Sequence, residues 1–149
     1  PKTMSFKIDV DKIREVIGTG GKVINGIIAE TGVKIDISDD GTVVIYAVDQ
    51  ASGDKAKKMI DDIVKEIEVG ETYYGTVARI MDFGAFIELL PGKEGLCRIG
   101  ELDNKFVKKV TDVVNVGDKI MVRVIEIDDK GRINLSRKAL LPKEENTEK

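Results

Sequence analysis

The hydrophobic repeat of this 149-residue chain changes period at Glu68-Val69-Gly70. Upstream, apolar residues recur at i, i+3 and i+4 between short alternating runs; downstream they alternate with polar residues at a period of two. The first pattern marks amphipathic helices and the second half-buried strands, and one packed layer cannot serve both. The chain is therefore expected to form two small domains, residues 1–68 and 69–138, followed by a disordered charged tail at 139–149. Domains this small bury only about 60% of the surface of their unfolded chains, so each needs a well-filled core.

In the first half, Met4 to Val10 reads as a strand. Asp11 is placed to cap a short helix carrying Ile13, Val16 and Ile17. Gly18-Thr19-Gly20-Gly21 interrupts that helix before Ile24, Ile27 and Ile28 resume its spacing, and Gly32 sits where a helix can end on a left-handed residue. Val33, Ile35 and Ile37 alternate, Asp39-Asp40-Gly41 turns the chain, and Thr42 to Val48 returns as the second arm of a hairpin. A long helix from Gln50 to Ile67 follows, with the apolar stripe Ala56, Met59, Ile60, Ile63, Val64 and Ile67. The order is β-α-α-β-β-α.

From Val69 five strands are expected, at Thr72 to Met81, Ala85 to Leu90, Gly95 to Ile99, Lys119 to Ile127 and Arg132 to Leu135. Gly84, Pro91-Gly92, Gly117 and Asp128-Asp129-Lys130-Gly131 punctuate them. Five short strands favour a closed barrel, because closure leaves no unpaired sheet edge. From Pro142 onward no apolar periodicity remains.

Composition narrows the chemistry. The chain has no histidine, which removes Ser-His-Asp and Cys-His catalysis and histidine metal ligands. Its single Cys97 excludes a disulfide framework or a cysteine zinc site and fits a reducing compartment. With 24 Lys and Arg against 27 Asp and Glu, net charge is −3, so the bulk basicity of a tight duplex binder is absent. Nucleic-acid contacts would have to rest on local grooves and stacking. No run of about 18 apolar residues is present to span a membrane, and no membrane partner is expected. The start, Pro1-Lys2-Thr3-Met4, has neither an initiating Met nor an apolar signal core and reads as a cut from a longer protein.

Two segments carry recognisable chemistry. In Ile17-Gly18-Thr19-Gly20-Gly21-Lys22, small residues allow a phosphate-sugar backbone close approach, the following helix offers free N–H groups, and Lys22 adds positive charge. Ile17, Ile24 and Ile35 are available as the apolar floor of a groove. A P-loop is excluded because Val23, not Ser or Thr, follows Lys22; a dinucleotide fingerprint is excluded because position 23 is not glycine. Taken alone, the loop reads first as a tight helix–helix turn. With Thr31-Gly32-x-x-Ile35-x-Ile37 and Asp39-Asp40-Gly41 behind it, the segment resembles a type I KH domain. The resemblance implies binding of about four unpaired nucleotides across Gly18, Thr19, Gly20 and Gly21, flanked by Lys22.

The second segment is Asp82-Phe83-Gly84-Ala85-Phe86. Phe83 and Phe86 lie three apart and would face opposite sides of a flat strand, unless a bulge at Gly84 re-aims one ring. They form either a stacking platform for bases or part of the core. Together with Tyr73-x-Gly75-x-Val77, Gly95-Leu96, Val116-Gly117-Asp118 and Gly131-Arg132-Ile133-x-Leu135-Ser136, they resemble an S1 domain, a five-stranded OB-fold barrel. That likeness implies base stacking by Phe83 and Phe86 and polar or phosphate contacts from Asp128 and Arg132. Arg98 stands where the family commonly has His, and Gly100 where it has Ser. Arg98 can still stack and contact phosphate. For Asp128 and Arg132, plain hairpin-turn chemistry is the competing reading.

A KH domain followed directly by S1 resembles the C-terminal region of the bacterial-type polynucleotide phosphorylase family. The resemblance implies a cytoplasmic protein that captures 3′ ends of single-stranded RNA for phosphorolytic decay. It implies RNase PH-like catalytic domains elsewhere in the same protein, a homotrimer, RNA-degrading assembly partners, and Mg2+ or Mn2+ at the catalytic domains. No catalytic residue, metal ligand or cofactor is expected within these 149 residues. The alternatives are an RNA-binding adaptor of another RNA-processing or transcription complex, a protein-assembly module, or a small nuclease using Asp128-Asp129 with a metal.

Overall fold

The computed structural model describes residues 1–143 and divides into two compact units, with the boundary between Glu66 and Ile67. The first unit is a three-helix, three-strand layer. Strands β1 (Lys2–Lys7), β2 (Lys34–Ile37) and β3 (Thr42–Ala47) form an antiparallel sheet in the order β1-β3-β2. Helices α1 (Ile13–Ile17), α2 (Lys22–Thr31) and α3 (Gln50–Val64) accompany it. Val16, Ile27, Val43, Ile45, Ala56 and Ile60 fill the core, so the i, i+3, i+4 stripes and the alternating strand residues meet as their periods require.

The expected boundaries shift in three places. The first strand ends at Lys7, and Val10–Lys12 forms a single 3-10 turn. Asp11 lies inside that turn and makes no side-chain cap. The long helix stops at Val64, because Lys65 takes an extended backbone (ψ 134°), and Ile67 packs against the barrel's core. Its start is firmly marked: the Asp49 carboxylate accepts the Ser52 N–H at 2.7 Å.

The second unit is a closed five-stranded barrel, β4 (Thr72–Met81), β5 (Gly84–Leu90), β6 (Lys93–Arg98), β7 (Lys119–Ile127) and β8 (Ile133–Ser136), in the order β4-β5-β6-β8-β7. β6 and β8 are parallel and the other pairs antiparallel. Register shifts at Val77/Arg79, Glu88/Leu90 and Val124/Glu126 let the sheet curl on itself. No bulge occurs at Gly84. This glycine is the first residue of β5, opposite Arg98, and a Cβ there would collide with the Cys97 carbonyl and come within 2.9 Å of the Arg98 Cα.

The expected tail begins too early. Lys138–Leu140 forms a 3-10 turn, Ala139 N–H donates to Ser136 Oγ at 2.9 Å, and Asn104 Nδ2 donates to the Pro142 carbonyl at 2.8 Å. These contacts hold residues 139–142 to the barrel; residues 144–149 of the proposed tail lie outside the described residues. Among the described residues no helix is long and apolar enough to cross a membrane.

Candidate nucleic-acid interface

Three of the four loop residues between α1 and α2 have positive φ: Gly18 at 75°, Gly20 at 63° and Gly21 at 79°. L side chains avoid this region, so the loop's shape demands glycine. At Gly18 space forbids a side chain as well, since a Cβ would lie 2.5 Å from Val23 Cγ2 and 2.8 Å from the Val23 nitrogen. The loop thus lies directly over the first turn of α2, where no acidic side chain competes for the free N–H groups. Thr19, Gly20 and Lys22 are exposed.

The expected groove floor is only partly present at the surface. Ile17 is 36% exposed and Ile24 half-buried, but Ile35 is 8% exposed and belongs to the core. Ile35 sits on a strand that packs its alternate residues inward, so it belongs to the core and not to an exposed floor. At the hairpin, Asp40 Oδ1 accepts the Thr42 N–H at 2.9 Å, which holds its carboxyl below the usual range. Asp40 is a turn residue.

On the barrel, strand register writes the site out in a line. Arg79 pairs with Phe86, Phe86 with Leu96, Leu96 with Asn134, and Asn134 with Glu126. The neighbouring row, Ile80, Ala85, Cys97, Leu135 and Val124, points into the core. Alternation therefore forces the first row onto the outer face. Around its middle lies a cavity of about 320 Å3 lined by Phe86, Leu96, Arg98, Asp128, Arg132 and Asn134, with Glu94 at its edge. Four of the five residues anticipated on this domain thus meet at one place.

Phe83 reaches the same side differently. It precedes β5, in the turn, so strand parity does not govern it; its carbonyl accepts the Ile99 N–H at 2.8 Å. The Phe83 ring is 51% exposed and stands edge-on to Phe86, with centroids 6.3 Å apart and planes at 88°. Neither ring is a fully buried core residue.

Asp128 is committed to its hairpin. Oδ1 accepts from the backbone N–H of Lys130 (3.0 Å) and Arg132 (2.8 Å), and Oδ2 accepts from Arg132 Nε at 2.7 Å. The Arg132 N–H above all, then its guanidinium, hold this carboxyl below the ordinary aspartate range. Turn chemistry thus describes Asp128, which in turn aims the largely exposed Arg132 along the cavity wall. Both Asp128 oxygens being engaged, the Asp128-Asp129 pair is not poised as a free ligand pair, and among the described residues no cluster of three or more acidic or Cys side chains is placed for a metal. Cys97 is buried, and burial pushes its thiol up to about 11.

Sequence reading missed other members of this face. The Arg79 guanidinium lies 4.5 Å from the Phe86 centroid and pairs with Glu94 at 3.1 Å. Asn134 Nδ2 donates to Glu126 Oε1 at 3.1 Å. Period two would have found Glu94 from Arg98 and Asn134 from Arg132, each on the same strand face as its partner. Arg79 was invisible, because a register shift next to it resets the alternation on β4.

Comparison with known proteins matches each of the two units to a family. Residues 3–62 match the KH domain family and residues 66–138 the S1 RNA binding domain family. The polyribonucleotide nucleotidyltransferase of Ruminiclostridium cellulolyticum is 59% identical over 148 residues, 99% of this chain and 21% of the relative. That of Heliobacterium modesticaldum is 59% identical over 95% of this chain and 20% of the relative, and that of Bacillus cytotoxicus 59% over 99% and 21%. The chain thus spans about one fifth of the length of these relatives. It belongs to the KH and S1 RNA binding domain families, joined in that order, and matches the C-terminal region of polyribonucleotide nucleotidyltransferases along nearly all of its length.

Proposed function

We propose that this chain captures single-stranded RNA on two surfaces, the Gly18–Gly21 loop and the Phe86 face of the barrel, and passes its 3′ end to catalytic domains elsewhere in a larger protein. The observation that carries the reading is the barrel cavity, where an accessible ring stands beside Arg98 and Arg132. Stacking on an aromatic accepts any unpaired base, and flanking guanidiniums accept the phosphates between bases. A duplex hides its base faces and would gain only the phosphate part. On the KH unit, the exposed loop and the open first turn of α2 support a backbone-phosphate contact beside Ile17 and Ile24.

The relatives' names support setting such binding within a polyribonucleotide nucleotidyltransferase. In that setting the protein would be a cytoplasmic homotrimer that cleaves RNA from the 3′ end with phosphate, using Mg2+ or Mn2+ held by its RNase PH-like domains and working alongside other RNA-degrading proteins. The KH and S1 units would supply affinity and leave the chemistry to those domains. Binding of fluorescent oligoadenylate, single-stranded and duplexed with its complement, tests the proposal. Preference for the single strand, reduced by Phe86→Ala, is expected; equal binding of both forms overturns it.

A further inference from the structure

We propose that residues 103–110, within the connection between β6 and β7, form a second RNA subsite on the barrel, where Lys108 and Lys109 take backbone phosphates and Phe106 offers its ring to an unpaired base. This rests on the reading of the Phe86 face given above and extends it. Phe106 is 92% exposed, and it lies between Lys105 and the Lys108-Lys109 pair. Leaving such a ring in water has no folding benefit, and interleaved aromatic and basic residues suit a polyanion that carries stackable bases.

The segment is held in place, not loose. Leu102, Val107 and Val110 are buried in the barrel core, and Asn104 Nδ2 donates to the Pro142 carbonyl at 2.8 Å. Between these anchors Lys108 and Lys109 are exposed and line a second cavity of about 350 Å3, with Met81 and Asp82 opposite. Two ammonium groups outweigh the single Asp82 carboxylate. Among the described residues neither lysine is held in an ion pair, so neither has a bond to give up to a phosphate.

Continuity sets the occupant. Asp82 and Phe83 form the β4–β5 turn: Asp82 lines this second cavity, while Phe83 stands against Phe86, which lines the first. A strand whose base stacks at Phe86 can cross Phe83 and reach the lysines without leaving the surface. An acidic protein partner would have no reason to need that path.

The test uses the whole chain with Thr19→Asp and Gly20→Asp, so that the KH loop does not contribute, and oligoadenylates of roughly 4 and 16 nucleotides. Lys108→Gln with Lys109→Gln should make the salt dependence of 16-mer binding shallower by about 1.4 log units per log unit. Phe106→Ala should weaken the 16-mer at least about five-fold with that slope unchanged. The 4-mer should be indifferent to all three changes. Unaltered 16-mer binding, or equal losses for both lengths, overturns the subsite. Failure of the parent to bind either RNA would instead overturn the Phe86 reading, and this one with it.

Discussion

At the scale of single residues, the Phe86 ring has one aromatic neighbour, Phe83 edge-on, and three arginines, Arg79 over it and Arg98 and Arg132 around the cavity. Stacking on an aromatic is worth about 1–3 kcal/mol per base, and salt does not screen it. Phe83→Ala and Phe86→Ala should therefore lower RNA affinity at every salt concentration without changing the salt slope. Arg132→Ala should reduce that slope by about 0.7. Phe83, half in water, should cost less than about 1 kcal/mol of stability, and the half-buried Phe86 somewhat more. Affinities measured across a salt series, with thermal melts as the folding control, decide the point. Variants that melt the barrel yet bind normally in the folded fraction would make both rings structural. Cys97 gives a pH test of burial. With its folded value near 11 and an ordinary thiol near 9, folding disfavours the thiolate, and stability falls as pH rises between those values. Iodoacetamide at pH 8 should leave the native thiol unmodified and react promptly once urea unfolds the barrel.

Among the elements, the two loops differ in what they tolerate. Thr19 is exposed, and Gly20 has open space around its missing Cβ, but its φ of 63° costs a side chain about 1 kcal/mol. Thr19→Asp with Gly20→Asp should therefore fold with slightly reduced stability and bind RNA several-fold more weakly, through charge placed at the phosphate position. Gly20→Asn bears the same backbone cost without charge and should keep most of the affinity. Equal loss in both variants would reduce the loop to a helix–helix turn. In the β7–β8 hairpin, the depressed Asp128 carboxyl stabilises the fold above about pH 4, and this contribution disappears as pH falls through its lower folded value. Protection of the Lys130 and Arg132 amides, relative to their intrinsic exchange rates, should fall on acidification below that range. Asp128→Asn should flatten this dependence; an unchanged acid response in that variant would assign it to other carboxylates.

For the whole molecule, purified chain supplied with RNA, phosphate and magnesium should bind RNA and release no nucleoside diphosphate, since residues 3–62 and 66–138 match the KH and S1 RNA binding domain families. Diphosphate release tracked by chromatography would overturn this. Two-domain organisation, helix order and the five strands were legible because period is a local property: hydrophobic spacing reveals which face of each element is buried. The Gly18–Gly21 loop was legible for a related reason, as positive φ restricts residue choice wherever the chain lies. Other features depended on contacts far apart in sequence. Whether Ile67 would close α3 or fill the barrel, and whether Ile35 would be groove or core, depended on what else packed there. Gly84 answers to the β6 backbone it touches, and Phe83 to a turn that removes it from strand alternation. The line from Arg79 through Phe86, Leu96 and Asn134 to Glu126 exists only once barrel closure sets β6 beside β8. Periodicity is written within a segment of chain, whereas register and closure arise between segments; the sequence determined two RNA-binding folds, and tertiary structure alone decided which side chains of different strands share a face.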